Sequence, residues 1–157
     1  MRTAVLLLTD VIVVHHEPRP DGSRQMLEVG IVIPAHASAL GKAMIAFDPA
    51  ACGQALVDGA ALRSMTGETI TDPATVRAGL DEVRTTGIAF EVEEAVLGEC
   101  CAASPVLDAA GDVVGAIGLV VPSAEWPLGP QALDALRAAA RAVSREFGAA
   151  QWPPPPS

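Results

Sequence analysis

The sequence predicts an α+β domain built on an antiparallel β-sheet with flanking helices. Three observations carry that expectation. Strand-like runs stand at both ends of the chain with three helical segments between them. Neighbouring runs are joined by short turns, as in hairpins. The regular strand–helix–strand alternation of a doubly wound sheet is missing. The 157 residues, half of them hydrophobic, suffice for one domain with its own core. Only 3% are aromatic, so that core rests on Val, Leu, Ile and Ala.

Thr3–Leu8 and Val11–His16 are β-branched or leucine-rich runs around Thr9-Asp10 and read as a hairpin. Glu17–Ser23 is a Pro/Gly loop, and Gln25–Ile33 reads as a third strand stopped by Pro34. Ser38 can cap a helix whose Leu40, Ala43, Met44 and Phe47 follow helical spacing. Asp48-Pro49 and Asp72-Pro73 each place a capping carboxylate before a proline at the first helical position. The first opens a helix to about Val57. The second opens one carrying Val76, Leu80 and Val83 and closed by Gly87. Ile88–Glu93, Cys101–Leu107 and Val113–Val121 return to strand character, the last two joined by the Gly-containing loop at 108–112. Leu133, Leu136, Ala140, Val143 and Phe147 mark one face of a final helix, with Arg137, Arg141 and Arg145 beside it. That arginine stripe reads as a solvated flank or, more sharply, a subunit interface. The tail from Gln151, with four consecutive prolines, is expected to be disordered or polyproline-like.

Charge and composition narrow the function. Ten basic residues, with Lys42 the only lysine, face nineteen acidic ones, a net charge of -9. Phosphate contacts need clustered Lys and Arg, so this chain alone is no nucleic-acid reader. Its apolar runs fall well short of the roughly 20 residues that span a bilayer. The short run after Met1-Arg2 imitates a signal peptide but is broken by Asp10. Three cysteines, Cys52, Cys100 and Cys101, two of them adjacent, suit a reducing cytoplasm.

Several residues invite chemistry. Glu91 and Glu93 share one strand face by alternation, and two carboxylates could exchange protons; a solvated strand edge is the plainer reading. Only one of Cys100 and Cys101 can face a core, where a buried inert thiol is expected; His36 is the best remote base for a reactive one. His15 or His16 with His36 and Glu91 could be imagined around a metal, but no ligand spacing supports it. Ala39-Leu40-Gly41-Lys42-Ala43 lacks the features of a phosphate loop. Gly41 and Ala43 instead suit a helix lying close to a sheet. No catalytic constellation emerges, so no enzyme and no cofactor are expected.

Taken in order, several segments resemble one family. Ile33-Pro-Ala-His-Ala-Ser-Ala-Leu-Gly-Lys-Ala43 is similar to the helix start of IclR-type transcriptional regulators. Val83–Gly87, Phe90-Glu-Val-Glu-Glu94 and Gly98-Glu-Cys-Cys-Ala102 resemble that family's glycine, acidic and cysteine segment, and Pro105–Asp108, Gly111 and Ala116–Pro122 continue the likeness. The resemblance covers about Thr3 to Gly148. It implies an effector-binding domain of GAF-like fold over residues 1–148, its first helix missing, followed by a disordered tail at 149–157.

The resemblance further implies a pocket against the sheet for a small organic metabolite, a carboxylate or an aromatic compound. Ile33, Ala39, Leu40, Glu91, Cys101, Gly118 and Val120 match its lining. Gly118 and Val120 stand where the family often carries serines, which implies a larger or less polar ligand held by backbone N–H groups near Ser38. Homo-oligomers, dimers or dimers of dimers, would relay binding. DNA would be met only through a separate helix-turn-helix outside this chain. The alternative implied by its absence is a headless paralogue that pairs with full-length regulators.

Overall fold

The computed structural model describes residues 1–7, 9–20 and 29–153. Strands β1 (Arg2–Leu7) and β2 (Asp10–His16) form the anticipated hairpin, closed at Thr9. β3 is only Val32–Pro34; of the longer strand expected at Gln25–Ile33, residues 25–28 lie outside the described residues and 29–31 form a turn instead of strand. A 3-10 turn, Ala35–Ala37, leads into α1 (Ala39–Ile45), followed by α2 (Pro49–Ala55) and α3 (Pro73–Thr86). β4 (Ala89–Val92), β5 (Glu99–Leu107) and β6 (Val113–Pro122) precede a short 3-10 turn and α4 (Pro130–Glu146).

The six strands form one sheet in the order β3-β2-β1-β6-β5-β4, and every neighbouring pair is antiparallel. β1 and β6, far apart in sequence, pair at its centre. The predicted fold class is the observed one.

Local signals place the helices. Asp48 and Asp72 cap α2 and α3 by accepting the Ala51 and Thr75 N–H groups at 2.9 and 3.0 Å. Gly87 ends α3 in the left-handed region (φ 71°). Ser38 precedes α1, but its hydroxyl makes no capping bond. Gly41 does not serve an approach to the sheet, as anticipated. A Cβ there would meet the backbone of Ala35, 2.7 Å from its carbonyl carbon, so Gly41 lets the 3-10 turn fold back on α1.

The two faces of the sheet pack separately. Ala4, Val11, Val13, Ala103, Ala116 and Val120 lie under α1, with Leu40, Met44 and Leu80 in the same core. Ala102, Val106 and Ile117 lie under α4 with Leu136. α4 presents its predicted face to the sheet, with Leu133 and Val143 packed beside Leu136, and only Phe147 departs from it. Leu136, Ala140 and Ser144 are buried, whereas Phe147 is 56% exposed. Ser144 joins that face, where it accepts the Leu107 N–H at 3.0 Å and donates to the Ala140 carbonyl at 2.7 Å, while Phe147 falls just past the helix end at Glu146. Trp152, inside the tail, donates to the Pro105 carbonyl at 2.8 Å and lies under Arg141. The tail beyond Pro153 lies outside the described residues.

Candidate functional site

Register builds the site before any side chain is considered. One row crosses five strands: His16 on β2, Arg2 on β1, Gly118 on β6, Ala103 on β5 and Ala89 on β4. The next row along is Val120, Cys101 and Glu91, and a third pairs Pro122 with Glu99. Directly paired residues in antiparallel strands, and residues two apart on one strand, share a face. All three rows therefore line the α1 side at one end of the sheet. Gly118, Ala103 and Ala89 give that face a floor of small side chains.

Of the seven anticipated residues, Leu40, Glu91, Cys101, Gly118 and Val120 come together here. The Leu40 Cδ2 and Cys101 Sγ stand only 3.1 and 3.2 Å from where a Cβ on Gly118 would be. The space left by the missing side chain is thus filled by Leu40 and Cys101, which close over the glycine. Ala39 is fully buried in the α1 core. Ile33 pairs with Val11, near the opposite end of β2 from His16. Five residues of strand separate Val11 from His16, roughly 16 Å, so Ile33 stands apart from the others. Four surface cavities are lined by other residues: one by Arg141, Arg145 and Trp152, one by Val5, Met44 and Gln54, one by Lys42, Val76 and Phe90, and one by Asp58 and Pro73.

Glu91 is 5% exposed, which overturns the solvated-edge reading. Its Oε1 accepts the N–H groups of Glu94 and Ala95 at 2.6 and 3.1 Å. Burial pushes its carboxyl up to about 7, against the pull of those two backbone donors. Near neutral pH the group is therefore divided between an acceptor and an O–H donor. Glu93 does not share its face. The strand ends at Val92, and Glu93 turns the chain with φ 55°, its carboxylate accepting the Gly98 N–H at 2.7 Å.

Beside Glu91, the buried Lys42 and Glu94 form an ion pair. Lys42 also donates to the Phe90 carbonyl at 3.3 Å, and Thr66 and Thr69 donate to the Glu93 and Glu94 carbonyls, both at 2.6 Å. This cluster ties α1 and the 62–71 loop to the turn after β4, whose Glu94 N–H is held by the Glu91 carboxyl. It fixes the carboxyl's position without contributing to the site's surface.

His36 is committed elsewhere, with Nε2 2.8 Å from the Arg63 carbonyl oxygen. Burial pushes the Cys100 thiol up, away from the thiolate. Among the described residues, no group of three or more His, Cys, Asp or Glu stands together as metal ligands. No helix among them is long and apolar enough to cross a membrane.

Arg2 escaped the sequence reading of this site, and His16 entered that reading only as an imagined metal ligand. Arg2 is 6% exposed and emerges beside Gly118, with its Nη2 3.4 Å from a Glu99 carboxylate oxygen. His16 faces the same way only because the β1–β2 register shifts between Thr3 and Ala4, leaving Val14 as an extra residue. The available signal for Arg2 was its phase with Ala4 and Leu6 on β1.

The chain matches the model of the bacterial transcriptional regulator IclR C-terminal domain over residues 3–145. It belongs to the IclR family. An IclR-type chain from a Silicibacter species superposes with a TM-score of 0.87 at 26% identity, covering 99% of this chain and 62% of that one. The Streptomyces coelicolor glycerol operon regulatory protein is 40% identical over 152 residues. That likeness takes in 94% of this chain but 59% of the relative's length. A variant of the PobR inducer-binding domain from Acinetobacter, solved with 3-hydroxybenzoic acid, has the same fold: TM-score 0.75, 25% identity, 91% of this chain and 86% of that one. The fold and the relatives are those of IclR regulatory domains and not of enzymes.

Proposed function

We propose that this IclR domain senses a small organic metabolite at the end of the sheet bounded by Leu40, Glu91, Cys101, Gly118 and Val120. The convergence of those buried residues on one face carries the reading. The inducer-bound PobR domain of the same fold supports it. Ligand entry displaces the Leu40 side chain from Gly118, and α1, which carries Leu40, passes the change to subunit contacts in a dimer or dimer of dimers. A helix-turn-helix elsewhere in the full regulator then gains or loses DNA, in the cytoplasm. The likeness to glycerol operon regulatory proteins favours a small polyol-related compound as effector here.

Thermal unfolding against a panel of small carboxylates, hydroxybenzoates, polyols and polyol phosphates tests this. A true effector raises the midpoint with concentration, by the equivalent of about 2.7 kcal/mol at a hundredfold excess over Kd. A panel without a single concentration-dependent shift counts against sensing. The same shift in a Gly118→Leu variant, which fills the site, would move the ligand elsewhere.

A further inference from the structure

We infer that Arg141, Arg145 and Trp152 form a second binding site, for a phosphate group, along the flank of α4. It stands apart from the sensing site proposed above. That site lies on the α1 side of the sheet, whereas α4 packs on the opposite face.

Charge along α4 is the first indication. Arg137, Arg141 and Arg145 follow at i, i+4 and i+8, so each guanidinium has a like charge one turn away. Like charges at that spacing destabilise a helix. Elsewhere the chain answers an arginine with a nearby acid. Arg84 and Arg137 hold the aspartates three residues back, Asp81 and Asp134, and Arg77 reaches Asp58. The same positions before Arg141 and Arg145 are Ala138 and Ala142. Glu146, next to Arg145 in sequence, lies about 100° further round the helix. Among the described residues, no carboxylate pairs with Arg141 or Arg145. Two cations a turn apart, left without an internal anion in a chain of nineteen acidic residues, suit an external one.

The chain beyond α4 builds the facing wall. It turns back at Gly148 (φ 88°), where the Gly148 and Ala149 N–H groups donate to the Arg145 and Ser144 carbonyls, both at 2.9 Å. Trp152 is then pinned at three points. Its indole N–H donates to the Pro105 carbonyl at 2.8 Å. β4 begins at Ala89, opposite Ala103, so that carbonyl lies past the end of the neighbouring strand. The ring edge fits against Gly87, where a Cβ would stand 3.0 Å from Cη2. The ring face carries the Arg141 guanidinium, 5.8 Å from its centroid. That cation–π contact orders Arg141 before any ligand arrives, which lowers the cost of binding. Between helix and wall lies a groove of about 410 Å³, lined by Arg141, Arg145, Gln151 and Trp152. Its volume falls in the range of small-molecule sites.

Two guanidiniums set the class of ligand. Each is a planar fork that can hold two oxygens of one anion. A carboxylate, with two oxygens and one charge, satisfies one fork. A phosphate group has three free oxygens and close to two charges near neutral pH, and so answers both. Ala149, Ala150 and Pro153 offer an apolar wall to the organic part of a phosphate ester. The net charge of -9 opposes a nucleic acid laid along the surface. A single phosphate feels mainly the local pair, because charges beyond about 8 Å are screened at physiological salt.

Trp152 can report on its own site. The chain has two Trp and no Tyr, so Trp126→Phe leaves Trp152 as the only indole. Emission of that full-length variant is followed in sodium phosphate and in n-butyl phosphate at pH 7.5, with sodium chloride holding ionic strength constant. A saturable change is expected in at least one arm, and the two arms tell free phosphate from an ester. Arg145→Gln should weaken binding at least tenfold. Arg145→Lys keeps the charge, loses the fork and should fall between. The Arg145 side chain is exposed and has no partner among the described residues, so both variants should melt as the parent does without phosphate. Without the Trp126 change, phosphate should raise the thermal midpoint of wild type by more than that of Arg145→Gln, a difference that removes the general effect of the salt.

Emission that follows ionic strength alone, alike in phosphate and chloride, overturns the site. So does a loss of less than tenfold in Arg145→Gln, or an equal thermal gain in both proteins. None of these results touches the metabolite panel, whose sensing site lies across the sheet.

Discussion

Glu91 holds a proton in the folded protein that the unfolded chain gives up. Its folded value of about 7 lies above the ordinary 4.5, so between those two pH values the native state binds more protons. Stability from this group is fully present below about 4.5, falls as pH rises and levels off above about 7, a loss of roughly 3 kcal/mol. Glu91→Gln keeps an oxygen for the Glu94 and Ala95 N–H groups but cannot ionise. The variant's midpoint relative to wild type should rise steadily from pH 5 to pH 7.5 in thermal melts. A difference that stays flat with pH would show that Glu91 ionises normally. Gly41 gives a second test at this scale. Gly41→Ala should gain helix propensity yet lose about 3 kcal/mol in denaturant titration, because the new methyl strikes the Ala35 backbone, which cannot turn aside as a side chain can. What the sequence revealed here was uneven. Glu91, Cys101 and Gly118 came from the resemblance, and their common face followed from pairing. Arg2 was missed because its burial depends on β6, which is over a hundred residues away.

At the scale of elements, local chemistry was readable where both partners lie within a few residues. Asp48 and Asp72 announced α2 and α3 because a cap is a contact between i and i+3. Asp48→Ala should cost about 1 kcal/mol in chemical denaturation with no change of fold by circular dichroism. The joint between α1 and β4 is different in kind. Lys42 and Glu94 are fifty-two residues apart, and both are buried. Lys42→Met should destabilise by about 3 kcal/mol or more, since it strands the Glu94 carboxylate without its cation. Lys42→Met/Glu94→Leu should recover much of the loss, a pattern a double-mutant cycle resolves. α4 shows where periodicity misled. Apolar spacing assigned Phe147 to the sheet face, but the helix ends at Glu146, and the last buried contact on that face is the Ser144 hydroxyl at the Leu107 N–H. Likewise Glu93 left the face of Glu91 because the strand ended one residue sooner than alternation alone could tell.

Across the whole molecule, net charge and topology act together. With net charge -9 and a single lysine already buried in an ion pair, the chain should show no salt-sensitive retention of duplex DNA in mobility-shift assays. Tight, salt-sensitive binding would overturn the separation of sensing from DNA contact. Sequence by itself determined the fold class, the helix starts, the hairpins and the family, because each is written in short-range pattern or in ordered motifs. Tertiary structure alone decided which side chains meet. The pairing of β1 with β6 set Arg2 beside Gly118, and the extra residue at Val14 turned His16 toward them. Strand parity flips with one inserted residue, and long-range pairing leaves no local trace, so the composition of the site emerges only when the sheet closes.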